Sequence, residues 1–168
     1  MLYFLIFLVI LAADQAMKWW TVQSLALYET APLLPGIVEF RYIQNTGGGW
    51  SILSEHTWLL SLLTAAIILA LTLLMVLRVV KHPAGMTALT MLVAGGAGNL
   101  MDRLRLGYVV DMFHFEFWPS YPVFNVADIS VVVGVILGVI YYLFLYDKHD
   151  ARKKERKNGT DNNSAADN

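Results

Sequence analysis

The chain contains no cysteine, which excludes a disulfide framework, a thiolate zinc site and a cysteine nucleophile together. Charge is scarce too. Asp, Glu, Lys and Arg make up 15% of the 168 residues, against about 25% in an average soluble domain. They are also unevenly placed, since the last 22 residues, Asp147 to Asn168, hold eleven of the 25. A formal net charge of -1 argues against nucleic acid as a partner, because phosphate binding needs a basic face on folded structure rather than a basic tail alone. The chain as a whole is 57% hydrophobic with a mean hydropathy of +0.55, and the solvent that suits such a composition is lipid.

A helix crosses the hydrocarbon core with about 20 mostly apolar residues. Four stretches approach that length: Met1 to Ala13, continuing through Asp14 and Lys18 to Trp19 and Trp20; Trp58 to Leu77; Pro83 to Met101, rich in small residues; and Ile129 to Tyr146. The first lacks a basic leader and is followed by three more spans, which separates it from a cleavable signal peptide. Between the first two spans, Val38, Phe40 and Tyr42 alternate with Glu39 and Arg41, a half-buried strand approached through Pro32, Pro35 and Gly36. The expected fold is therefore an integral membrane protein, mainly α, with four transmembrane helices and a small extramembrane β-sheet on the outer side. Residues 1–150 are read as one domain with an outer insertion at about 21–57, and 151–168 as a cytoplasmic disordered tail. Trp50, Ile52, Leu53 and Trp58 are expected along the membrane surface. Arg78 and Lys81 between spans two and three, and the basic run from Lys148 to Lys157, put both termini in the cytoplasm. Arg103 and Arg105, in the outer connection after span three, are a mild exception.

Polar residues near membrane depth cost roughly 2.5 to 3.5 kcal/mol per charge at a helix centre, so each asks for a reason. Those in this chain fall at or just beyond the outer ends of the spans, hence in one layer if the helices bundle. Asp14 and Lys18 are four apart on one helix face, acid first, and read either as a neutralised structural pair or as support for a nearby site. Asn45 precedes glycines that make either a free turn or a loop allowing close approach of a ligand. In Gly95-Gly96-Ala97-Gly98-Asn99-Leu100-Met101-Asp102-Arg103, close helix packing accounts for the glycines but not for Asn99 and Arg103. Asp111 and Asp128 sit among apolar neighbours. They read either as a loop acid and a helix cap, or as two carboxylates that cannot both ionise, an arrangement that activates water. Asp111 and His114 make a weak case for a metal without a third ligand, and His114 is read as an interfacial residue. No serine lies in a recognisable nucleophile elbow. A proton-conducting protein and a non-catalytic scaffold are the competing classes. A relay would need carboxylates at several depths.

The motifs Asp14-Gln15-x-x-Lys18, Asn45-Thr46-Gly47, Gly95 through Arg103, Val110-Asp111 and Phe124-Asn125-Val126-Ala127-Asp128, in that order, resemble those of the lipoprotein signal peptidases, or signal peptidase II, bacterial membrane aspartic peptidases. The resemblance runs from span one to span four. It implies removal of the signal peptide from diacylglyceryl-modified prolipoproteins, cut before the lipidated cysteine, at the outer face of the cytoplasmic (inner) membrane. It implies Asp111 and Asp128 as the catalytic pair, Asn45, Gly95, Asn99, Arg103 and Asn125 lining the substrate site, and Asp14 and Lys18 supporting it, with neither metal nor cofactor. Prolipoprotein substrates, membrane lipid and globomycin-type inhibitors are the implied partners. The chain departs from the family pattern Asn-x-Gly-Ala-Ala-Phe at Asn45-Thr46-Gly47-Gly48-Gly49-Trp50.

Overall fold

The computed structural model describes residues 1–47 and 56–146. The elements in order are α1 (Leu2–Ser24), β1 (Thr30–Leu34), β2 (Val38–Asn45), α2 (Thr57–Val76), α3 (Pro83–Leu106), β3 (Val109–Phe115) and α4 (Val126–Ile140), which ends in a π-helical turn at Tyr141–Leu145. Among the described residues, four helices are long and apolar enough to cross a membrane. Their outward faces carry large exposed apolar side chains such as Leu62, Leu69, Val135 and Phe144. Such faces suit lipid, where the backbone groups are satisfied within each helix. The membrane-surface placement expected for Trp50, Ile52 and Leu53, the basic run from Lys148 and the tail at 151–168 lie outside the described residues.

Small residues let α3 sit at the centre of the bundle. Gly95 faces the Ala127 carbonyl and Val131 of α4, Gly134 of α4 faces the Ala88 carbonyl and Leu92, and Gly96 faces Ile68 and Thr64 of α2. Without a hydrophobic drive between helices in lipid, close backbone approach of this kind supplies the packing energy.

Three antiparallel strands in the order β1-β2-β3 cap one end of the bundle. Tyr42, Val110 and Met112 turn inward with Leu25 to form the sheet's core, with Met17, Phe40 and Phe113 packed against it. The element boundaries correct the sequence reading in ways that matter for the site. The first helix runs on to Ser24, and the third continues past Met101 to Leu106, so that Asp102 and Arg103 are helical. The fourth begins at Val126, which puts Asp128 in its first turn. Asp111 is on a strand rather than in a loop. Gly107, at φ +82°, ends α3 in the left-handed conformation that a side chain would strain. The chain thus turns from helix to strand within two residues. Phe113 and Phe124 then exchange backbone hydrogen bonds of 2.8 and 2.9 Å, which ties the start of α4 to β3.

A Cβ at Gly95 would overlap the Ala127 carbonyl oxygen, a backbone atom that cannot turn aside, whereas one at Gly138 would meet the Ala88 Cβ at 3.7 Å, an ordinary contact. Gly95→Ala is expected to lower stability by about 1–3 kcal/mol, with Gly138→Ala close to neutral. Thermal unfolding in detergent checks this, and equal shifts for the two variants would contradict the packing described.

Candidate active site

The polar layer is built upward from Lys18, whose side chain is 4% exposed. Its ammonium lies 2.9 Å from Asp14 Oδ2 and 3.0 Å from Asp102 Oδ2, and donates to Asn99 Oδ1 at 2.8 Å. Each acid also holds a backbone amide of another element, α4 for Asp14 and β3 for Asp102. Asp14 Oδ1 accepts from the Ala127 N–H at 2.9 Å, and Asp102 Oδ2 accepts from the Val110 N–H at 3.1 Å. Gln15 closes the cluster by donating to Asp14 Oδ2 at 3.1 Å and Asp102 Oδ1 at 3.2 Å. Of the two readings of Asp14 and Lys18, the pair is structural in its contacts and yet fixes the residues next to both Asp111 and Asp128.

Asn125 joins those two aspartates. As the N-cap of α4 its side-chain oxygen accepts from the Asp128 N–H at 2.9 Å, while its own backbone N–H donates to Asp128 Oδ2 at 3.1 Å. This is a reciprocal capping box with Asp in the usual Glu or Gln position. The Asn125 Nδ2 remains free to reach across, donating to Asp111 Oδ1 at 2.7 Å and to Asn99 Oδ1 at 3.0 Å. Asn45 donates to Asp111 Oδ2 at 2.9 Å, and Asn99 donates to Asp128 Oδ1 at 2.8 Å. Every carboxylate oxygen of the two aspartates therefore accepts from an Asn side chain or backbone. Burial, and next the charge of Asp128, push the Asp111 carboxyl up to about 7, against hydrogen bonds from Asn45 and Asn125 that favour its anion.

A cleft of about 170 Å³ opens onto this pair, lined by Asn45, Asn99, Arg103, Asp111, Asp128 and the segment from Tyr121 to Phe124. Arg103 donates from Nη2 to the Gly47 carbonyl at 3.2 Å, and its Nε is shielded without a partner among the described residues. Gly47 in turn donates to Asn45 Oδ1 at 2.9 Å, so Asn45 and the loop it opens are held together. Gly95 lies at the α3–α4 contact and not on the cleft.

His114 is buried, with Nδ1 2.9 Å from Glu39 Oε1 across the β2–β3 pair. Among the described residues, no three His, Asp or Glu side chains group as metal ligands. Asp102 and Gln15 carry the polar layer although the sequence reading gave them no role. An acid within a helix at membrane depth was the available signal for Asp102.

Residues 6–144 match the family described as Signal peptidase (SPase) II. The lipoprotein signal peptidase of Enterococcus faecalis is 39% identical over 158 residues, covering 94% of this chain and 95% of that protein. That of Streptococcus pyogenes serotype M2 is 40% identical over 143 residues, covering 83% of this chain and 91% of that protein. Two solved structures, each described as a bacterial membrane enzyme, are similar with TM-scores of 0.78 and 0.76 at 28% identity. They cover 84% and 85% of this chain, and 86% and 93% of their own.

Replacing Lys18 by Met would leave Asp14 and Asp102 facing each other without their cation. A loss of about 3–5 kcal/mol of stability is expected, as for a buried pair broken on one side, with Lys18→Arg less damaging. Thermal unfolding in detergent measures it. Equal stability of Lys18→Met and the parent would show the cluster to be unimportant.

Proposed function

This chain belongs to the signal peptidase II family, and from that premise we propose that it cuts diacylglyceryl-modified prolipoproteins just before the lipidated cysteine, with Asp111 and Asp128 as the catalytic pair. It is a multi-pass membrane peptidase of the kind that removes signal peptides from prolipoproteins. The observation that carries the finer reading is the bridge through Asn125, one residue that hydrogen-bonds to both carboxylates at the floor of a cleft.

Catalysis is general acid–base chemistry on a water held between the carboxylates. The ionised aspartate takes a proton from the water as its oxygen attacks the scissile carbonyl. The protonated partner gives its proton to the carbonyl oxygen. As the tetrahedral intermediate collapses, the C–N bond breaks, the departing amine takes a proton from one aspartate, and a hydroxyl of the intermediate gives its proton to the other, so that the pair again holds one. The two groups titrate jointly, so the first proton belongs to the pair. An Asp111 that keeps its proton up to about pH 7 suits a pair that must hold one proton near neutrality. Asn99 and Asn125 orient the carboxylates, Asn45 and Arg103 face the substrate chain, and Asp14 and Lys18 support them. Gly95 would serve the site by holding α4 against α3.

The same reading puts the enzyme in the bacterial cytoplasmic membrane, with the site at the outer face and both termini inside. Arg78 and Lys81, between α2 and α3 at the opposite end from the sheet, agree with that orientation. Residues 1–150 form the peptidase domain and 151–168 a cytoplasmic tail, and globomycin-type cyclic peptides would occupy the cleft in place of substrate.

Asp111→Asn and Asp128→Asn keep size and remove the exchangeable proton. Each is expected to lower turnover by about 10²- to 10⁴-fold, and the double variant by no more than either, as for groups acting as a unit. The assay is conversion of diacylglyceryl-prolipoprotein to the lipidated mature form by folded, purified protein, beside an unlipidated precursor that should stay uncut. Near-normal turnover by either variant would overturn the aspartic mechanism.

A further inference from the structure

The cleft at the aspartate pair does not end there. It shares Asn45, Asp111 and the Tyr121 to Val123 segment with a second groove of about 440 Å³ that runs along the sheet past Ile43 to Arg41 and His114. The ladder between β2 and β3 is irregular at this point. Phe40 pairs with Phe113 and Ile43 with Asp111, so Arg41 and Tyr42 together face Met112 alone. Such a bulge bends the strand and re-aims a side chain, and bulges are frequent beside active sites. Tyr42 goes to the core, and Arg41 lines the groove.

Among the described residues, Arg41 has no counter-ion there. Its Nε is shielded from solvent and without a hydrogen-bond partner among the described residues, and the ion pairs among those residues are Lys18 with Asp14 and Asp102, and His114 with Glu39. His114 is thus already matched by Glu39, and Arg41 is the one fixed cation among the described residues lining the groove. A guanidinium left without an acceptor in a half-buried position gains most from a carboxylate, which can accept two of its N–H groups at once.

We propose that this groove binds the part of the substrate beyond the cut, and that Arg41 selects for an acidic side chain there. The inference rests on the peptidase reading above. The apolar signal segment stays with the spans, whereas the sheet lies beyond the helix ends, so the chain crossing it is the mature side. From Ile43, opposite Asp111, to Arg41 is two residues along β2, about 7 Å at roughly 3.3 Å per residue. An extended substrate lying along the strand therefore brings its second to fourth residue after the cut to the guanidinium.

The test uses purified full-length enzyme in lipid nanodiscs and three lipidated precursors that differ only in carrying Glu, Gln or Lys at the second position after the modified cysteine, the third residue after the cut. The parent should cut the Glu form with a kcat/KM roughly fivefold to tenfold above the Gln form, the size expected of one charge-assisted contact, with the difference in KM. Arg41→Gln should bring that ratio to one, and Arg41→Glu should reverse the order so that the Lys form is preferred. A loss of packing alone would lower all three alike and could not reverse the order. Equal use of the three precursors by the parent, or the same ratio in Arg41→Gln, would overturn the assignment while leaving the peptidase reading intact. Failure of the parent to cut any of them would overturn both.

Discussion

An ammonium group out of reach of water has to be surrounded by acceptors, and in this chain those acceptors decide where the two aspartates of the cleft stand. Lys18 draws Asp14 from its own helix and Asp102 and Asn99 from α3 into one cluster. Both acids also hold a backbone amide one residue before an aspartate of the cleft, Asp14 through its other oxygen at Ala127, before Asp128, and Asp102 through the same Oδ2 at Val110, before Asp111. Pairs at the surface contribute about 0–1 kcal/mol, but breaking a buried one costs several times that. The cluster is therefore stiff enough to act as a template. It sets the depth of α4 against α1 and the register at which β3 leaves α3, and the geometry between the carboxylates follows from both.

Asn125 extends the same logic one layer outward. A helix N-terminus leaves amide groups without partners, and Asn125 and Asp128 satisfy two of them reciprocally. Because the cap uses the Asn oxygen, its amide nitrogen is available to hold Asp111. Capping and the bridge to Asp111 thus draw on the same two side chains. The reading of Asp128 as a residue of the helix start holds, and it is compatible with the chemical one proposed above.

The spans were legible because length and hydropathy are local properties, and α2, wholly uncharged, was located to within a residue at each end. The strand in β2 was legible from its alternation. β3 was not, since Val109-Val110-Asp111-Met112-Phe113-His114-Phe115 has an acid and a histidine inside an apolar run, and its pairing with residues 38–45 is settled only by the tertiary fold. The same limit hid Asp102, whose partner on β3 exists only once Gly107 has turned the chain back. Asn99 and Arg103, one turn apart, were read as facing a common ligand, and both line the cleft. Asn99 nevertheless serves Asp128 and Lys18, while Arg103 holds the loop at Gly47. The expectation that Asp111 and Asp128 act as a catalytic pair rests mainly on the family resemblance, since spacing alone favours a loop acid and a helix cap.

The central claim is that the two carboxylates share one proton near neutral pH in a frame of asparagine donors. The most direct measurement is the pH dependence of kcat/KM for lipidated precursor, which reports ionisation in the free enzyme, compared between the parent and Asn45→Ala. Asp111 keeps its proton up to about pH 7, so the parent should lose activity as pH rises beyond that point and the pair becomes doubly ionised. Asn45 favours the Asp111 anion through its hydrogen bond. Its removal should therefore move the alkaline limb to higher pH, even as overall turnover falls. An alkaline limb that stays in place, or moves to lower pH, would contradict the account.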